Sequence, residues 1–422
     1  LNISDYPVCN IASVIDDTTT STTATTTKPV QTDCTYNGTL KQGAEYVNGQ
    51  YTYIYKKKHN GFSWVNMSED GWGVTLTDKD STDAVTSKVC TYINNKPIVS
   101  MSYMFGGSKA TTLDLSNFDT SNVTDMSKMF QSSKATTLDV SNFDTSNITD
   151  MSRMFDRSQA TTLDLSNFDT SNVTDMSWMF WGSKATTLDV SNFNTSKVTN
   201  MNCMFSSSQA TTLDVSNFDT SNVMDMGGMF YYSQATTLDV SNFDTSKVTN
   251  MSSMFGNSQA TILDVSNFDT SNVTDMGYMF WNSKATTLDV SNFDTSNVTD
   301  MRVMFDGSQV TILDLSNFDT SKVTNMNEMF SYSKATTLDV SNFDTSNVTE
   351  MINMFFYSTN LKTIYVSNKF NTDKVTSSTG MFYGCTKLIG GAGTKYNSSY
   401  VDKTYARIDG GTSNPGYFTA KN

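Results

Sequence analysis

The sequence predicts a repeat solenoid with one short parallel β-strand per 25-residue coil and a small β-rich domain covering its N-terminal end. Three observations predict it. The motif LDLSNFDTSNVTDMSKMF begins at Leu113 and returns in the same frame at Leu138, Leu163, Leu188, Leu213, Leu238, Leu263, Leu288, Leu313 and Leu338. An unbroken period of 25 residues marks stacked supersecondary units, none of which can bury its apolar face alone. Upstream, Asn48-Gly49 lies between alternating aromatic runs, a hairpin signal. Of the 422 residues only 17% are charged and 37% hydrophobic, so Ser, Thr and Asn fill the turns.

The elements follow in order. Residues 1–33 are a short lead and a Thr-rich linker without apolar periodicity. The sequence starts at Leu1 with no signal peptide, which reads as a processed or trimmed chain. Residues 34–100 form the small β-rich capping domain, with strands expected at GFSWVNM and GWGVTLT and with Trp64 and Trp72 expected in its core. The array runs over 101–360 and starts with a half-copy, MSYMF, at Met101; a degenerate repeat and C-terminal cap fill 361–422. Five cysteines show no CxxC spacing, which speaks against zinc; Cys34 and Cys90 bracket one β-rich segment and are the favoured disulfide.

Within one coil, Thr111–Ser116 alternates around Leu113 and Leu115 and reads as the strand. Met126, Met129 and Phe130 have the spacing of one helical or 3₁₀ turn. Asn117 and its equivalents never vary, so a buried Asn hydrogen-bond ladder is expected. Asp114, Asp139 and Asp164 begin a row of outward aspartates. Carboxylates bonded to nearby Ser and Thr are the preferred reading; a row of Ca2+ sites is the sharper alternative. Where Asn122 becomes Lys (Lys197, Lys247, Lys322), Asp125 becomes Asn (Asn200, Asn250, Asn325). That swap fits either a contact across the turn or block duplication.

The copies differ mainly around the Met-Phe turn. The residue before the second Met runs Lys128, Arg153, Trp178, Cys203, Gly228, Ser253, Tyr278, Val303, Glu328, Asn353. Free variation in a tight stack implies exposure. Trp178, Trp181, Tyr231, Tyr232, Tyr278, Trp281, Tyr332, Phe356 and Tyr357 therefore form an expected exposed stripe, broken because alternate coils lie about 10 Å apart.

The tandem LDLSNFDTSNVTDMSxMF string, with the ending YGCTKLIGGAGTKYNSSYVDKTYARIDGGTSNPGYFT, closely resembles the BspA-like leucine-rich-repeat proteins of bacterial surfaces. The repeats here are one residue shorter and lack the usual Cys, which survives only as Cys385. The resemblance implies an LRR-like solenoid, an extracellular or bacterial cell-surface location and adhesion to a host or matrix protein. It supplies no catalytic residues.

The functional expectation is adhesion to, or recognition of, a host or matrix protein or glycan through the stripe. A self-assembling surface filament, in which the partner is a second copy, is one alternative; a cation- or ice-ordering surface is another. An enzyme is not expected, since His59 is the only histidine and the aspartates are identical in every coil. A net charge of −14 excludes nucleic acid and anionic membranes as partners, and no apolar segment is long enough to insert. No cofactor is expected beyond the Ca2+ alternative.

Overall fold

The computed structural model describes residues 32–421. Most of the Thr-rich lead, with Cys9, lies outside the described residues. Two compact units divide between Phe218 and Asp219, inside the run of repeats. Both consist of extended and turn backbone, with only two short 3₁₀ helices among the described residues.

The first unit opens with a sheet. β2 (Glu45–Asn48) and β3 (Tyr51–Tyr55) form the expected hairpin, Asn48 opposite Tyr51. Gly49 turns the chain with φ 58°, a left-handed conformation that suits a residue without Cβ. β4 (Lys57–His59) and β5 (Trp64–Asn66) make a second hairpin. β6 (Trp72–Leu76) lies between β3 and β8 (Lys96–Ser100), while β7 (Tyr92–Ile93) and β1 (Asp33–Cys34) complete the order β1-β7-β8-β6-β3-β2. Trp72 is fully buried there and donates its indole N–H to the Ile93 carbonyl at 3.3 Å. Trp64 is half-buried edge-on to His59. A disulfide joins Cys34 and Cys90.

The sheet hands over to the repeats: Ser100 of β8 bridges Asp125 in parallel, Asp125 bridges Asp150, Asp150 bridges Asp175, and Asp175 bridges Asn200. This Thr-Asp position is the regular inter-repeat bridge, not the predicted Leu113 strand. At the leucine position the first unit has only β9 (Thr187–Leu188) and β10 (Thr212–Leu213), apart from isolated bridges. The reason is local: Asp114 accepts the backbone N–H and hydroxyl of Ser116, which takes a donor from the ladder and stops the strand.

The predicted helical turn is also corrected. Met126 to Ser133 is a chain of β-turns, in which the N–H groups of Met129, Gln131 and Ser133 bond the carbonyls of Met126, Lys128 and Phe130. The intervening N–H groups of Met126, Lys128, Phe130 and Ser132 bond Asp150, Ser152, Met154 and Asp156 of the next repeat. A helix would direct every N–H along its own axis and leave none for the neighbour. Met126, Met129 and Phe130 nevertheless point inward and are fully buried. The phenylalanines Phe105, Phe130, Phe155, Phe180 and Phe205 stack nearly parallel at 5.5–5.7 Å.

The second unit repeats this build, with Phe230, Phe255, Phe280, Phe305, Phe330 and Phe355 stacked at 5.7–5.9 Å. It ends in a parallel sheet of β11 (Thr337–Asp339), β12 (Thr363–Val366) and β13 (Thr419–Ala420). Tyr417 and Phe418 pack on Phe382, and Phe382 donates its N–H to Val401. Asp409 ties the glycine-rich tail down by accepting the N–H groups of Ala392, Thr394 and Gly411. Cys385 is buried and donates its thiol to the Phe355 carbonyl; burial pushes that thiol up to about 12.

Candidate functional site

The invariant and variable parts of a repeat do different work. In the first copy the sequence reads Asp-x-Ser three times, and each carboxylate accepts the N–H two residues on: Ser116 on Asp114, Ser121 on Asp119, Ser127 on Asp125. Those bonds, the Ser116 hydroxyl first, hold Asp114 below the usual carboxylate range, and Ser166 does the same for Asp164. Asp139 has the same pair of bonds to Ser141. Among the described residues no group of three or more His, Cys, Asp or Glu is arranged to hold a metal ion.

The Asn column differs from expectation. Asn142 is half-buried, and its amide donates to the carbonyls of Leu115 and Phe118 in the preceding repeat at 3.1 Å each. The partner is backbone, not another Asn, because the chain needs donors for carbonyls freed at the turn. Threonine forms a fully enclosed polar column, as does the serine of Ser133, Ser158 and Ser183. Thr145 is 1% exposed; its hydroxyl donates to the Asp169 carbonyl at 2.9 Å and accepts the Asp169 N–H at 2.8 Å. The unvarying Thr after Phe-Asp or Phe-Asn was the available signal.

Residues of the Lys-for-Asn swap bond the preceding repeat, not each other across the turn. Lys197, Lys247 and Lys322 each donate to the side-chain oxygen of Asn172, Asn222 and Asn297, one repeat back. Asn250 donates to Asp225 at 3.0 Å. Each Asn thus breaks a row of half-buried carboxylates in which burial, then Asp125 and Asp175, pushes Asp150 up. Lys58 neutralises the first of that row, Asp125, at 2.6 Å.

The variable residues occupy left-handed backbone. Lys128, Arg153, Trp178 and Cys203 in the first unit have φ 52–61°, as do Tyr278, Val303 and Glu328 in the second. These are the third residues of β-turns, where Gly or Asn is usual. Variation does not mean exposure throughout: Trp181 and Tyr231 are each 4% exposed and Cys203 is enclosed. Trp178, Tyr232, Tyr278, Trp281 and Phe356 are half-buried. Neighbouring repeats cover them.

The stripe resolves into packed groups. In the first unit Trp178 and Trp181 meet edge-on at 5.0 Å, with the Arg153 and Arg157 guanidiniums 4.1 and 3.9 Å above their rings. In the second unit Tyr231 and Trp281, two repeats apart, stack at 6.1 Å, and Tyr232 and Tyr278 close on the same indole. The expected gap closes because Gly256 stands between them; a Cβ there would lie 2.9 Å from the Tyr231 ring. Farther along, Tyr332 stacks on Tyr357 at 5.7 Å and Phe356 on Tyr383 at 5.5 Å. Tyr332, Tyr357 and Tyr383 are 49%, 41% and 44% exposed, the open aromatic face of this unit. Tyr383 escaped the sequence reading because it sits in the degenerate repeat.

No curated protein and no solved structure matches the chain. A family model described as "Mycoplasma protein of unknown function, DUF285" matches four overlapping stretches, residues 99–214, 150–264, 205–312 and 308–414. Those stretches span the repeats and most of the C-terminal segment, so the chain belongs to the DUF285 family of tandem-repeat proteins.

Proposed function

We propose that this chain is a non-enzymatic, extracellular recognition protein, an LRR-like solenoid of the BspA type that adheres to a host or matrix protein through its variable turns. The observation that carries this reading is the exposed tyrosine group, Tyr332, Tyr357 and Tyr383, on otherwise closely packed repeats. Contiguous exposed aromatic rings are a costly way to finish a surface unless they bind something. Turn after turn, backbone bonds hold the variable side chains in register without using them.

The ends support recognition over end-to-end filament growth. At the first repeat, Lys79 donates to the carbonyls of Tyr103, Met104 and Gly106, which have no earlier repeat to pair with. At the last, Val401 takes the Phe382 N–H. Capped ends leave the sides for a partner.

The test is a glycan and extracellular-matrix array probed with the full chain and with a Tyr332→Ser, Tyr357→Ser, Tyr383→Ser variant. Loss of the wild-type signal with an unchanged melting midpoint is expected. Full retention of binding overturns the proposal.

A further inference from the structure

Two buried aspartates occupy equivalent slots of their repeats, each directly after the stacked Phe. Asp156, in the first unit, is answered within the chain. Gln131 donates to it at 2.6 Å, the Arg153 guanidinium lies 3.3 Å away, and Arg157 Nε lies 3.7 Å away. Both guanidiniums also cover an indole of the next repeat. The molecule itself thus shows what a buried carboxylate near an indole accepts: a guanidinium.

Asp306, in the second unit, has no such answer. The positions of Arg153, Arg157 and Gln131 are taken by Val303, Gly307 and Trp281. Asp306 is 7% exposed, and among the described residues no hydrogen bond or ion pair reaches its carboxylate. The charge that acts on it is Glu328 of the following repeat, of the same sign. Trp281 holds the matching slot of the preceding repeat, and exposed Tyr332 follows in the next. Burying a carboxylate beside another without a cation is costly, and above pH 7, where Asp306 is ionised, a cation supplied from outside offsets that cost.

We propose that Asp306, Glu328 and Trp281 form a receptor for an arginine or lysine side chain on a basic segment of a partner protein. The receptor presupposes the recognition role above and specifies its chemistry: carboxylates take the charge, and the indole takes the flat face of the cation. The chain's net charge of −14 favours the approach of such a segment.

The test uses the full chain and two synthetic peptides, Gly-Gly-Arg-Gly-Arg-Gly-Gly and its citrulline counterpart, titrated calorimetrically at pH 8 and followed by tryptophan emission. The arginine peptide is expected to bind at least about tenfold more tightly than the citrulline peptide. Asp306→Asn with Glu328→Gln is expected to weaken it by a similar factor and to melt no lower than wild type. Trp281→Phe removes the emission change. Asp239→Asn with Asp289→Asn, an equal loss of charge in the outward row, leaves affinity unchanged. Equal binding of both peptides, unchanged affinity in the Asp306/Glu328 variant, or an equal loss in the Asp239/Asp289 control overturns the receptor. The tyrosine variant on the array reads separately, so the receptor can fail while the recognition role stands.

Discussion

Within each unit the repeats are joined by two unlike joints. At the Phe-Asp-Thr segment the joint is a side chain: the Thr145 hydroxyl satisfies both backbone groups of Asp169. At the Met-Phe turn the joint is the backbone itself, with every second N–H directed to the neighbouring repeat. The first joint fixes its residue, and threonine never changes there. The second leaves its side chains uncommitted, and one position is filled in turn by Lys, Arg, Trp, Cys, Gly, Ser, Tyr, Val, Glu and Asn. A joint built from peptide groups is therefore where a repeat protein can vary without losing register.

The sharpest way to break this contrast is to remove one hydroxyl. Thr145→Val strands an N–H and a C=O in a dry interior and should destabilise by about 2–3 kcal/mol, with Thr145→Ser losing less than half as much. Urea denaturation measures both, and equal losses would show that packing, not the hydroxyl, makes the joint.

At the variable turn the opposite sign is expected for one residue. Burial, and then Glu328, raises the Asp306 carboxyl to about 7. A folded pKa above the unfolded one gives stability that is present below pH 4 and lost as pH rises through 7. Asp306→Asn should thus match wild type near pH 4 and exceed it at pH 8 by up to about 4 kcal/mol. A melting series across that range decides it; a constant gap contradicts the assignment.

The smallest effect belongs to an exchange between natural occupants. Tyr278→Lys places at one turn what Lys128 already is at another, with φ 60° and 61° at the two sites. The cost should stay under about 1 kcal/mol, and a larger loss by urea denaturation would show that the turn side chains are committed after all.

The frame of the fold was legible in the sequence because ten copies keep one period, and the inward set Met126, Met129 and Phe130 was read correctly as core. Their backbone was misread because i, i+3, i+4 spacing suits a helix and a chain of β-turns alike. The distinguishing mark, left-handed residues, was hidden by Trp178, Tyr278 and Val303, which give no glycine signal. Scattered Gly107, Gly182, Gly228 and Gly307, with Asn257, Asn282 and Asn353, were the hint. The aromatic positions were legible as a variable set, but their mutual cover was not: it depends on Gly256 and on arginines one repeat away. Asp306 became visible only by comparison with Asp156.

The most direct measurement sets the two joints side by side: melting midpoint and array binding for Thr145→Val and for the Tyr332/Tyr357/Tyr383→Ser variant. The account predicts that Thr145→Val melts lower yet still binds at temperatures where it is folded, while the tyrosine variant melts within about 2 °C of wild type and no longer binds. The reverse pattern, with the tyrosines setting stability and the threonine setting binding, would contradict it.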